Sequence, residues 1–193
     1  PHLLRLLGPN CIGLLSSPAK LNASFAHINA GDGHLAFVSQ SGALVTAVLD
    51  WADAQAIGFS HIVSLGEHLD VDFGDMLDYL ATDVHTRAIL LYIESIEAPR
   101  KFMSAARAAA RNKPVIVVKA GRSAQGQKAA ASHTGALAGS DNVIDAAFRR
   151  LADEVLHDVV GIVGVADAVG AAQQHLEEDV GHALAQRREP LPR

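Results

Sequence analysis

Four short, uninterrupted apolar runs, HLAFVS (34–39), HIVSLG (61–66), RAILLYIE (87–94) and KPVIVVKAG (113–121), recur along this chain and leave few folds open to it. Each is rich in Val, Ile or Leu, as are strands covered on both faces of a parallel sheet. The stretches between them, 43–54, 73–81 and 99–111, carry alanine, leucine and charge in helical proportion, and Pro99 suits a first helical turn. Further helices are predicted over 141–151 and 165–176, with a weaker strand over 154–159. Regular alternation of strand and helix implies an α/β fold: a doubly wound, parallel, five-stranded sheet of flavodoxin-like type.

Composition narrows what such a fold does here. A chain of 193 residues with 49% hydrophobic content can bury one proper core. A net charge of -5 without a Lys/Arg stripe argues against nucleic acid as the main partner. No apolar run approaches the roughly 20 residues of a spanning helix, and the start lacks a signal peptide's apolar region, so no membrane role is expected. The single cysteine, Cys11, excludes an internal disulfide framework and fits a reducing cytoplasm. No CxxC or HExxH spacing is present, so no metal site is expected. Residues 1–33 show no strand clear enough to start a domain and read as the exit from a neighbouring one. The body of the domain is expected over 34–176, with 177–193, of mixed charge and two prolines, a disordered tail.

In an open parallel sheet, ligands bind in the crevice at the carboxyl ends of the strands. Every polar or glycine-rich oddity of this chain falls there. After the first run comes SQSGAL (39–44), with Ser41 as the expected N-cap and Gly42 leaving room for close approach. The free N–H groups and dipole of a helix start can hold a phosphoryl group without a lysine, although the segment alone fits an ordinary N-cap equally well. Glu94 closes the third run, as the partner of another functional group or as a solvated strand end paired with Arg100 or Lys101. GEHLDVD (66–72) offers Glu67, Asp70 and Asp72. A carboxylate cluster can hold Mg²⁺, but Asp72 reads better as the next N-cap and His68 as a solvent-facing side chain. Cys11 in GPNCIG is either reactive or a small apolar filler.

After the fourth run the chain reaches SHTGALAG (132–139), where His133 stands among small and hydroxylated residues with Gly126 and Gly135 on either side. Backbone N–H groups can approach whatever the imidazole meets, an arrangement suited to phosphate. A lone histidine in such a loop is more often a bystander beside a capping serine or threonine. What sets His133 apart is its convergence with SQSGAL and Glu94 on one edge. Glu94 could accept the Nδ1–H and leave Nε2 as nucleophile.

The motifs GPNCIG, SQSGAL, SLGEHLDVD, YIESI, KAGRS and SHTGALAG, in this order, resemble those of the nucleoside-diphosphate-forming acyl-CoA synthetases, relatives of the succinyl-CoA synthetase α-subunit. The resemblance covers roughly residues 5–170 and implies the flavodoxin-like phosphohistidine domain that follows a CoA-binding Rossmann domain, with residues 1–33 the exit segment of the latter. It implies that His133 is the phosphorylated histidine and Glu94 the glutamate that steadies it. Ser39, Ser41, Gly42 and Gly135 would bind the phosphoryl group, and Asn10 and Cys11 would lie near the CoA thiol. Implied cofactors are coenzyme A and ATP or ADP with Mg²⁺. Implied partners are an ATP-grasp domain or subunit, the CoA-binding domain and acyl phosphate or acyl-CoA, and a homodimer through exposed faces is open. Two departures stand out. Glu67 and His68 occupy places where the family often carries asparagine and a small residue, and the CoA-binding glycine-rich motif and ATP-grasp segment are missing, so the chain is not expected to complete the reaction alone. The same region resembles the synthetase-like part of bacterial protein lysine acetyltransferases, which implies an alternative: an acyl-CoA-sensing regulatory module without ligase activity. A flavin site, suggested by topology alone, fits poorly because the loop after the first strand lacks a run of hydroxyl residues.

Overall fold

The computed structural model describes residues 4–120. In chain order these form β1 (Gly13–Ser16), β2 (Leu21–Ser24), β3 (Asp32–Ser39), α1 (Gly42–Ala54), β4 (Phe59–Ser64), α2 (Phe73–Thr82), β5 (Ala88–Ile93), α3 (Pro99–Ala110) and β6 (Val115–Lys119). The four apolar runs become β3, β4, β5 and β6, and the three helical stretches between them become α1 to α3. The sheet order is β2-β1-β4-β3-β5-β6. β3 lies parallel to both β4 and β5, and β5 parallel to β6. This is the flavodoxin-like winding: the chain leaves β3 in one direction to β4, then crosses back to β5 and continues outward.

The sheet departs from the all-parallel, five-stranded expectation at one end. Among the described residues it has six strands, because β1 and β2 form a hairpin that adds antiparallel to β4. The expected strand over 154–159 lies outside the described residues. The hairpin left a weak sequence signal because each strand has only four residues, GLLS and LNAS. β2 is also a solvated edge strand with no inward apolar face.

Side-chain alternation sends each strand's residues to two cores. From β3, Ala36 and Val38 pack with Val63, Ile89 and Leu91 beneath α2 and α3, which contribute Leu77, Leu80, Phe102 and Ala106. Phe37 and Ile62 point the other way, under Val45, Leu49 and Ala52 of α1. Burying each of the larger side chains contributes on the order of 1.5–3 kcal/mol. The helix starts follow the local rules. Ser41 caps α1, Pro99 occupies the first turn of α3, and Asp72 caps α2 in a reciprocal capping box with Asp75. Each helix follows directly on the strand before it, so the three N-termini stand at the carboxyl edge of the sheet.

Candidate functional site

At the end of β3 two serines shape the entry to α1. The fully buried Ser39 accepts the Ser41 N–H at its Oγ (3.0 Å) and donates to the Ser41 carbonyl (2.9 Å). Ser41 Oγ in turn accepts the Leu44 N–H at 3.3 Å. The capping bond takes the third N–H of the helix and leaves those of Gly42 and Ala43 without an acceptor in the first turn. No acidic residue stands in that turn. A Cβ at residue 42 would come within 2.8 Å of Ile12 Cγ1, so glycine is needed for the close approach of Ile12.

Gln40, between the two serines, is the hub of the edge. Its N–H extends the ladder to the Tyr92 carbonyl (3.2 Å), after which β3 and β5 diverge. The side chain then takes over: Oε1 accepts the N–H groups of Glu94 (2.6 Å) and Ser95 (3.0 Å), while Nε2 donates to Ser95 Oγ (3.1 Å) and His68 Nε2 (2.8 Å). On the other side of Glu94, Lys119 Nζ donates to its carbonyl at 2.8 Å. Glu94 is half-buried, and its backbone is held from two strands. Neighbouring Tyr92 has its phenol pushed up to about 12, by burial and then by the negative charge of Glu94. Lys101, one of the two cations weighed as a counter-charge for Glu94, pairs instead with Asp72 (2.9 Å) and Asp75 (2.6 Å).

The N-terminal segment is laid along the same edge by an extended run of backbone bonds. The N–H groups of Glu67, Leu69 and Val71 donate to the carbonyls of Pro9 (3.0 Å), Gly8 (3.1 Å) and Leu6 (3.1 Å). Ile12 N–H reaches Ser64 Oγ at 3.1 Å. Gly66 makes this fit possible: at φ 57° it sits where a Cβ would be 2.2 Å from the Pro9 carbonyl oxygen. Asn10, also left-handed at φ 52°, is exposed, and Cys11 is half-buried with Sγ 3.7 Å from the Leu7 carbonyl. Further out, Arg5 pairs with Asp70 (2.9 Å) and Asp75 (3.1 Å). Burial works to raise the Asp75 carboxyl, but hydrogen bonds from Lys101, the Asp72 N–H and Arg5 win and hold it at about 2.

Ser39, Ser41, Gly42 and Glu94 thus share the carboxyl edge expected from the strand-end rule, the loop of Asn10 and Cys11 lies along the same edge, and Asp72 is the predicted N-cap. His133 and Gly135 lie outside the described residues. One expectation is corrected. His68 does not face solvent: only 6% of its surface is exposed. It sits at φ 40° between Gln40 and Phe73, whose ring centroid is 6.2 Å away, on the wall of a cleft of about 210 Å³. Two residues of this edge were missed, Gln40 and His68. Gln40 stood inside the SQSG motif, but its bonding partners follow only from the sheet order. Among the described residues no group of three or more His, Cys, Asp or Glu is placed to hold a metal ion, and no helix is long and apolar enough to cross a membrane.

A sheet of this winding, with a capped but open helix start, a pinned glutamate and a Gly-Pro-Asn-Cys loop along one carboxyl edge, defines a flavodoxin-like α/β domain. The chain belongs to the family of succinyl-CoA ligase-like flavodoxin domains, whose pattern matches residues 32–169. It is 50% identical over 147 residues to the α subunit of acetate–CoA ligase [ADP-forming] I of Pyrococcus furiosus, covering 76% of this chain and 32% of that protein. It is 49% identical over 147 residues to acetate–CoA ligase [ADP-forming] I of Archaeoglobus fulgidus, covering 76% of this chain and 22% of that one. Among solved structures it resembles a dinucleotide-forming acetyl-coenzyme A synthetase 1 of Ca. Korarchaeum cryptofilum in complex with phosphate and ADP. There the TM-score is 0.72 at 43% identity, over 77% of this chain and 32% of that one. The chain therefore spans about a third or less of the length of these relatives.

Proposed function

We propose that this chain is the phosphohistidine domain of an ADP-forming acyl-CoA synthetase, relaying a phosphoryl group between acyl phosphate and ADP through His133. The observation that carries the reading is the shared carboxyl edge. The open N-terminus of α1, the pinned Glu94 and the Asn10–Cys11 loop stand together, and Ile12 packs against Gly42. The identity of 50% to a ligase α subunit supports it.

In this reading Nε2 of His133 attacks the phosphorus of the acyl phosphate, the bond from phosphorus to the acyl oxygen breaks, and the carboxylate leaves. Glu94 accepts the Nδ1–H of the same ring, fixing the tautomer and balancing the charge that builds on the phosphorylated imidazole. The N–H groups of Gly42 and Ala43, with Gly135, receive the phosphoryl oxygens, and Ser39 and Ser41 hold that helix start in shape. The reverse attack, by ADP on the phosphorylated ring, regenerates histidine and yields ATP. Asn10 and Cys11 are the described residues that would face the thiol end of CoA, and their loop, with Asn10 exposed, Cys11 half-buried and no acidic side chain of its own, fits that role. ATP or ADP with Mg²⁺ belongs to an ATP-grasp domain or subunit. Residues 1–12 lead from the CoA-binding domain, the relay domain takes in the β1–β2 hairpin and runs to residue 176, and 177–193 form its tail.

The test is to mix the chain with an ATP-grasp subunit and γ-labelled ATP. Acid-labile, alkali-stable label is expected on the wild type and none on His133→Ala. Label that survives this substitution, or no label on the wild type, refutes the reading.

A further inference from the structure

We propose that Gln40 and His68 are positioning residues for Glu94, a paired hydrogen-bond hub that sets where the orienting carboxylate stands. The proposal rests on the reading of Glu94 given above and adds the machinery that holds it. The polar atoms of the Gln40 side chain are engaged on two loops, those after β4 and β5. Its Oε1 is fixed as the acceptor by the Glu94 and Ser95 N–H groups, so its Nε2 must be the end that faces His68. An amide that donates to His68 Nε2 at 2.8 Å requires that ring nitrogen to accept, which puts the imidazole proton on Nδ1, a buried atom with no hydrogen-bond partner among the described residues. His68 is the right shape for this task in an unfavourable backbone: at φ 40° and 6% exposed, a non-glycine residue persists only where its surroundings over-determine it.

The location gives the hub its consequence. β3 and β5 are paired as far as Ser39 and Tyr92, then turn to helices on opposite faces of the sheet. Beyond that point the β3 ladder no longer reaches Glu94: on the β6 side the Ala120 N–H holds the Ile93 carbonyl (2.9 Å), and on the β3 side a side chain takes the Glu94 N–H instead of a ladder bond. With Lys119 on the Glu94 carbonyl, the peptide groups on both sides of its Cα are held. His68 is the third support, since its acceptor keeps the Gln40 amide from rotating about its terminal bond.

The experiment measures the rate of phosphoryl transfer from labelled ATP to His133, and the nucleotide KM, in the chain assembled with an ATP-grasp subunit. Gln40→Met keeps length and removes every side-chain hydrogen bond. It should slow transfer by about 10–100-fold with KM changed by less than about twofold. In the Glu94→Gln background the same substitution should add nothing, because Gln40 acts through Glu94. His68→Phe keeps a ring against Phe73 but loses the acceptor, and should slow transfer by about 3–10-fold. His68→Gln fills the site less well, yet its side-chain carbonyl can accept from Gln40 and should recover most of the rate. A merely space-filling role predicts the opposite order of these two variants. If Glu94→Gln works at the wild-type rate, the reading of Glu94 falls and the positioning role with it. If Glu94→Gln is slow while Gln40→Met is not, or His68→Phe outperforms His68→Gln, the positioning role alone is overturned.

Discussion

At the amino edge of the sheet, away from the proposed chemistry, four polar side chains are buried together, and removing Asp83 from among them should cost stability and leave phosphoryl transfer intact. Asp83, the residue after α2, accepts from Thr86 Oγ1 (2.6 Å), the His85 N–H (3.3 Å) and His61 Nε2 (3.1 Å), and Thr86 also meets Ser60 Oγ at 2.8 Å. The side chains of His61 and Asp83 are 8% and 9% exposed. In Asp83→Ala the Thr86 hydroxyl still has Ser60, and the His85 N–H, on an exposed residue, can turn to water. Only His61 is left buried and unpartnered. That orphan plus the loss of a well-bonded carboxylate should cost about 2–4 kcal/mol. For a chain of this size the melting temperature should then fall by about 6–12 °C. Asp83→Asn keeps an acceptor for Thr86 and should cost about 1 kcal/mol at neutral pH. The sign with pH follows from the carboxyl. Burial works to raise it, but the Thr86 hydroxyl, the His85 N–H and His61 hold it below the usual value. A group depressed in the folded state stabilises fully above its unfolded value of about 3.9, and that stability is lost as pH falls through the folded value. Urea unfolding of wild type and Asp83→Asn should therefore differ by a constant amount above about pH 5 and converge in acid. A cost below about 1 kcal/mol for Asp83→Ala, or a gap that fails to close in acid, would show that the cluster is not the stitch its geometry describes.

Two further perturbations report on the carboxyl edge. Gly66→Ala places a Cβ 2.2 Å from the Pro9 oxygen and 2.4 Å from the Asn10 oxygen at a left-handed φ, so the loop must move. It should lower stability by about 1–3 kcal/mol and raise the KM for CoA, while labelling of His133 from ATP persists. An unchanged KM for CoA would separate this loop from the thiol. Ultraviolet titration of the two tyrosines should show one ionising at about 12, assigned to Tyr92 by its loss in Tyr92→Phe. Glu94→Gln should move that step down but not back to the ordinary value, since burial is the larger cause. No movement would place the Glu94 charge elsewhere.

What was legible in the sequence is what local chemistry decides. HLAFVS and RAILLYIE read as buried strands because apolar side chains on both faces leave no other accommodation, and Ser41, Asp72 and Pro99 marked helix starts because capping acts within one turn. The sheet order put SQSGAL and Glu94 on one edge, as the strand-end rule requires. What stayed hidden depends on partners far along the chain. His68 follows Glu67 and precedes Leu69 and Asp70, a context that reads as solvated; its burial is set by Phe73 and by Gln40, 28 residues away. Gln40 looked like a spacer between two serines. The β1–β2 hairpin gave no period because four residues show too few alternations, and β2 exposes nearly all of its own.

That hairpin changes what residues 4–33 are for. They do not merely lead into the sheet, because β1 pairs with β4 and the preceding loop is bonded to the turn after β4. Ser64, the last residue of β4, holds Ile12 by its hydroxyl, and Ile12 in turn lies against Gly42 at the start of α1. The loop proposed to face the thiol and the helix start proposed to receive the phosphoryl group are therefore separated by a single side chain. A shift in either is felt by the other through packed contacts with little room to absorb it. In the proposed reaction the acyl phosphate must be made from acyl-CoA at one loop and give up its phosphoryl group at the other. Fixing the two loops to one another, rather than each to its own domain, keeps a reactive acyl phosphate between them within reach of both.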